Sequence, residues 1–341
     1  MIRAVRRPLS LLLLAGVLGT AGTAHAQVTL TLSSWVPPTH PLTIAQADWC
    51  AEVSKATEGR VLCKVLPKPV ASPPATLDAV RDGLADVAFS THGYTPGRYV
   101  LTKIAEFPFL GASVTANSVA YQRIYEKYLS GFNEHDGLHV ITMFTHGPGV
   151  ILNNKRPIRT LADMDGLKFR VGGGMVNDIG KALGANMILK PAPQSYELLS
   201  SGIVDGVWFP DEAIISFKLD KVIKYRTTIP GGLYNTSMVM VMNPATFNRL
   251  SRQDQAIVNK HSGEWAARFI GRYWDAQDTR ARAGMQVAGI ETSEADASFV
   301  ADFKARVAPL EQAWVKEAQA KGLKNAAQVL QAFRDEVKQL Q

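Results

Sequence analysis

Only two cysteines, Cys50 and Cys63, occur in 341 residues. That number excludes a cysteine-ligated cluster and a disulfide-dense scaffold. No His-Glu-x-x-His or paired Cys/His spacing offers a metal site in their place. Charge of one sign is also scarce. The formal net charge is +7, from 37 basic and 30 acidic side chains, and Arg3, Arg6 and Arg7 of the first 26 residues contribute three positive charges with no acid among them. The remaining basic residues alternate with acids, so no patch for nucleic acid forms. Beyond residue 26 no apolar run approaches the ~20 residues that a membrane span takes. The nucleophile elbow Gly-x-Ser-x-Gly is absent. Gly172-Gly173-Gly174 lacks both the Lys-Ser/Thr of a P-loop and the spacing of a dinucleotide fingerprint. It reads as a strand-to-helix turn whose amides are placed to help hold an anion.

What is present begins at the N-terminus. Three arginines precede an uncharged apolar run over 9–18, and Thr23-Ala24-His25-Ala26 places small residues where a signal peptidase reads. This is the pattern of a secretory signal peptide over 1–26, with Gln27 first in the mature chain. In an oxidising compartment the two cysteines acquire a role. Cys50 falls in an expected helix over 43–57 and Cys63 in the strand after it, so the helix folding back on its strand brings the sulfurs together. A disulfide is expected, the alternative being two buried thiols.

Alternation predicts strands over 29–33, 60–66 and 87–90, and helical spacing predicts helices over 43–57 and 75–82. Strands alternating with helices indicate an α/β fold with mostly parallel pairing. The segment Asp82-Gly83-Leu84-Ala85-Asp86-Val87 is echoed by Ser201-Gly202-Ile203-Val204-Asp205-Gly206, each after a helix and before an apolar strand. Two similarly built lobes would give that echo. Strands over 140–144 and 233–242 are expected to cross between the lobes, placing 27–147 plus about 236–275 in the first lobe and 148–235 plus about 276–341 in the second. From the capping pair Ser251/Asp254 to Ala288 no proline intervenes. A continuous helix there would be ~50 Å long and would brace both lobes, with Gly263 and Gly271 as bending points. Two further helices are expected, one continuing through Pro309 and one over 326–340.

Arg170 stands at the end of the strand Leu167-Lys168-Phe169-Arg170-Val171, directly before the three glycines. Ligands of open α/β sheets bind beyond strand carboxyl ends, and a guanidinium there takes a carboxylate in a two-pronged pair. Position alone leaves a surface ion pair equally open.

The stretch Leu161-Ala162-Asp163-Met164-Asp165-Gly166 running into that strand, Leu183-Gly184-Ala185, and Tyr196-Glu197-Leu198-Leu199 running to Gly206 and Pro210 resemble the substrate-binding subunits of TRAP transporters, the DctP-type family. Arg60-Val61 with Pro67, Asp82-Gly83 with Asp86, and Phe107-Pro108-Phe109-Leu110 match its first lobe. The resemblance implies a two-lobed periplasmic binding protein of type II-like architecture, with a helix spanning both lobes and a ligand cleft between them. It implies a carboxylate held by Arg170, no cofactor and no catalysis. The implied partners are a small and a large integral membrane subunit, with the binding protein itself a monomer. The chain departs from sialic-acid-binding members: Val150 stands where they carry a second arginine, and Val207-Trp208-Phe209-Pro210 replaces a polar Gln-Glu-Asn-Pro. A smaller or flatter ligand, an aromatic or 2-oxo acid, is expected.

Further candidate contacts are Trp35, His92, Tyr94, His146, Phe209, Glu212 and Asn235, with Tyr234 beside the last. Glu212 is placed either to orient a polar group or to pair with Arg170. The competing functions are a periplasmic sensor component and, with less support, a hydrolase using the same cleft.

Overall fold

The computed structural model describes residues 27–341; the expected signal peptide lies outside the described residues. Eleven strands occur among them: β1 (Val28–Ser33), β2 (Val61–Val65), β3 (Val87–Thr91), β4 (His139–Thr145), β5 (Val150–Asn153), β6 (Lys168–Val171), β7 (Asn186–Leu189), β8 (Gly206–Phe209), β9 (Tyr225–Thr228), β10 (Ser237–Met242) and β11 (Glu291–Glu294). They form two sheets, β2-β1-β3-β10-β4 and β11-β9-β5-β8-β6-β7. In each sheet one strand runs against the others: β10 in the first and β5 in the second. Each is the strand that has just arrived from the other lobe. Because the reversed strand sits inside each sheet, two of the four pairings in the first sheet and two of the five in the second are antiparallel; the mostly parallel pairing read from the sequence holds narrowly in the second sheet and not in the first, and the antiparallel pairings mark the crossings.

The two crossings lie side by side. The Gly149 amide donates to Tyr234 O (2.8 Å) and the Leu233 amide to Gly149 O (3.1 Å). The second crossing is expected as a strand over 233–242; regular pairing begins only at Ser237, because Leu233 and Tyr234 bond to Gly149 of the other crossing and the Asn235 amide to Glu106 O instead.

The long helix is interrupted. Arg252–Lys260 ends at His261, and a second helix, Gly263–Val287, begins at Gly263 with φ +60°. Only glycine adopts that angle without strain. The remaining 25 residues span about 37 Å. The helix continues through Gly271, which allows the Thr115 backbone within 2.6 Å of where a Cβ would stand. The helix still reaches both lobes. Asp275 accepts from the Val114 and Thr115 amides of the first, and Asp278 from the Glu212 amide of the second at 2.9 Å.

The C-terminal segment divides. β11 joins β9 in the second sheet. Helix Ala297–Ala320 continues through Pro309 and carries Trp314 back against Phe107 and the Val100 carbonyl (2.9 Å). The last helix, Ala326–Leu340, packs on Val114–Ile124 of the first lobe and pairs Glu336 with Arg123. Residues beyond 276, read from the sequence as second-lobe, thus return to the first lobe at their end. Cys50 and Cys63 are disulfide-bonded, tying helix Pro41–Ala56 to β2.

Candidate functional site

The carboxyl ends of β1, β3, β6 and β8 converge on a small cavity where the lobes meet. β1 delivers Trp35, whose indole N–H donates to Phe89 O (2.8 Å) and whose ring faces Phe89 and Tyr94. β6 delivers Arg170. β8 alternates, so Trp208 turns into the core beside Phe169 while Phe209 faces the cavity. Glu212 follows Pro210 on the same wall, and His146 and Tyr234 enter from the hinge.

Arg170 is 1% exposed. Its Nε donates to Lys190 O (2.7 Å), and its guanidinium carbon lies 4.4 Å over the Phe209 ring. Among the described residues no carboxylate comes within salt-bridge distance of it; Glu212 does not pair with it. Burial lowers its pKa from the ordinary range, with Tyr94 and Tyr234 beside it opposing that shift. A buried guanidinium without an anion is costly, so the arrangement is prepared for an incoming anion. Tyr94 supports it. Its hydroxyl oxygen accepts the Ala192 amide (2.9 Å), which leaves its own proton free to donate toward that anion.

The histidine tautomers follow from their partners. The His146 Nδ1–H donates to Gly147 O at 2.5 Å. Burial lowers this ring to about 4, so at neutral pH Nε2 is an acceptor. His92 and Asn235 lie outside the cavity lining. The His92 ring is turned to Ser237 (3.0 Å) and His135 (2.8 Å) in a buried pair. The Asn235 amide, with its nitrogen toward the crossing, donates to the His146 and Gly147 carbonyls and belongs to the hinge.

Sequence reasoning did not single out His40, Phe217, Trp274 or Glu106. His40 caps helix Pro41–Ala56, its Nδ1 accepting the Leu42 amide (3.1 Å). Trp274 stands on helix Gly263–Val287; it is 3% exposed, yet it lines the cavity, and its indole N–H has no partner among the described residues. Glu106 bridges the lobes. Its carboxylate accepts the Met175 amide of the second lobe (2.7 Å) and the Ser237 hydroxyl of the first (2.5 Å). The lobes also touch where Gly93 meets Gly173: a Cβ on Gly93 would stand 2.7 Å from the Gly173 oxygen. These contacts close the cleft over the cavity.

Residues 32–337 match the family model of bacterial extracellular solute-binding proteins, family 7, the DctP family. The chain belongs to this family. Family members of known structure share its two-lobed fold. One is a TRAP periplasmic solute-binding protein from Bordetella bronchiseptica with bound (R)- and (S)-mandelate, 46% identical, covering 92% of this chain and all of that one, at a TM-score of 0.90. Another is a marine metagenome TRAP protein in complex with 3-hydroxybenzoate, 29% identical over 92% of this chain and 99% of that one, at 0.85. Among curated proteins the chain is similar to the outer membrane transporter protein TsaT of Comamonas testosteroni, 31% identical over 90% of each chain. As members of a TRAP-type family, such chains are receptors that serve membrane transport subunits. Among the described residues no helix is long and apolar enough to cross a membrane.

Proposed function

We propose that this protein is the periplasmic receptor of a TRAP-type transporter and that it captures an aromatic monocarboxylate. The observation that carries the reading is the fully buried Arg170 guanidinium, without a protein carboxylate and stacked over Phe209. The ligand carboxylate takes the free guanidinium N–H groups and the Tyr94 hydroxyl proton. Its ring lies among Trp35, Phe209, Phe217 and Trp274, which line the same space. One cation matches one carboxylate, and flat apolar walls match a ring better than a hydroxyl-rich chain. The mandelate and 3-hydroxybenzoate in the related structures support this choice over a 2-oxo aliphatic acid. Capture needs no chemistry: closure excludes water, which strengthens the ion pair, and the closed form is what the small and large membrane subunits engage.

The test is thermal unfolding of ligand-stripped protein with benzoate, mandelate, glucuronate and pyruvate. A ligand at a hundred times its Kd stabilises by about 2.7 kcal/mol. Benzoate or mandelate should raise the midpoint and the others should not. A shift with glucuronate alone would overturn the reading.

A further inference from the structure

Beyond Phe209 the cavity ends in a second polar group that the carboxylate does not use. Arg170 lies over Phe209; Phe209 stacks on Phe217 (5.7 Å, 11°); and Phe217 faces His40 (5.3 Å). His40 and Glu212 therefore line the same cavity, separated from the cation by two aromatic rings. Their side chains are each 2% exposed.

The hydrogen bonds around this pair are incomplete. His40 Nδ1 is occupied by the Leu42 amide, so the proton of the neutral ring is on Nε2. Burial keeps the ring neutral by lowering it to about 3. Nε2 stands 3.6 Å from Glu212 Oε2, beyond hydrogen-bond reach, and donates to no acceptor among the described residues. Glu212 Oε2 receives the Ser216 hydroxyl (2.6 Å), while Oε1 accepts from no donor among the described residues. Burial raises this carboxyl to about 8. The pair is thus a neutral donor beside a neutral acid. A second ligand carboxylate finds no cation there, and a bare ring leaves both groups unpaired at a cost. A hydroxyl both donates and accepts, and so satisfies both.

Resting on the aromatic-acid reading above, we infer that the His40–Glu212 pair selects aromatic monocarboxylates bearing a ring hydroxyl remote from the carboxylate. That hydroxyl accepts from His40 Nε2–H and donates to the Glu212 carboxyl.

Calorimetric titration with benzoate, 3-hydroxybenzoate, 4-hydroxybenzoate and the two matching methoxybenzoates tests this. One hydroxy isomer should bind at least about tenfold tighter than benzoate, and its methoxy counterpart should lose the advantage. Glu212→Met, which keeps the length but offers no oxygen acceptor, and His40→Asn, which keeps an acceptor for the Leu42 amide, should each bring the hydroxybenzoate-to-benzoate ratio to within about threefold of one. Benzoate binding well with neither hydroxy isomer preferred would overturn this inference and leave the aromatic-acid reading standing. So would a preference that survives both substitutions. No binding across the whole series would overturn both.

Discussion

In the first lobe β1, β2 and β3, and in the second β6, β7 and β8, repeat one βαβαβ frame in matching sheet order. The correspondence extends to side chains. Asp86 accepts the amide of Thr31 in its neighbouring strand (2.7 Å), and Asp205 accepts the amide of Lys168 in its own neighbour (2.9 Å). Two residues further along those strands stand Ser33 and Arg170. Ser33 is also buried, and its hydroxyl oxygen accepts the Val70 amide (3.2 Å). The frame is complete with a small hydroxyl at that strand end, so folding does not require a guanidinium there. The role proposed for Arg170 above, gripping an anion from outside the chain, agrees with that difference.

The halves differ again where helix meets strand. In the first, Cys50 and Cys63 link the helix to β2. In the second, Gly180 lets Met187 pack so close that a Cβ would stand 1.7 Å from its terminal methyl. One seam is covalent and the other rests on packing.

The largest effect is expected from giving the second lobe the first lobe's residue. Arg170→Ser should lower affinity for benzoate or mandelate by about 2–5 kcal/mol, roughly 30-fold or more. The unliganded melting temperature should not fall, because an uncompensated buried charge is removed. Titration and thermal unfolding together check this; a marked loss of unliganded stability would make Arg170 a structural residue. Next, replacing both cysteines with serine should cost about 3 kcal/mol of stability for a bridge across 13 residues, measured by guanidinium unfolding, with ligand affinity little changed.

How much of this was legible in the sequence depends on how local each signal is. The repeated frame shows as the Gly-x-x-Asp echo because the glycine turn and the strand-bridging aspartate are short-range devices. Arg170 and Trp35 are found because strand ends point to the cleft. His40 was missed because its role as helix cap hid its free Nε2, and Trp274 because one helical stripe serves both core and cavity. The break at Gly263 was hidden because a mid-pattern glycine looks the same whether the helix bends, passes through or stops. His92 sits at the right strand end, but a buried partner, His135, distant in sequence, turns its ring away.

A smaller effect concerns how the two frames meet. Glu106→Ala removes the carboxylate joining the first lobe to the Met175 amide, and affinity should drop about tenfold, the worth of a hydrogen bond to a carboxyl group. Small-angle scattering of the liganded variant should show a more open molecule. The smallest effect is in pH. Burial raises Glu212 to about 8 and Asp278 to about 7, well above their ordinary values. Up to about pH 7.5 the buried histidines, lowered from 6.5, oppose this effect, because the unfolded chain binds protons there that the folded one does not. Between about 7.5 and 9 the histidines are neutral in both states, the folded state still holds protons at these acids that the unfolded chain has lost, and stability falls as pH rises. The slope is at most about 1.4 kcal/mol per pH unit for each group. Thermal unfolding across that window measures it.

The central claim is that a buried cation grips a carboxylate on an aromatic ring. Calorimetric titration of the ligand-stripped protein with mandelate and with mandelamide tests it most directly, because the two share ring and hydroxyl and differ in charge. Mandelate should bind and mandelamide should not bind measurably; equal affinity for both would contradict the account.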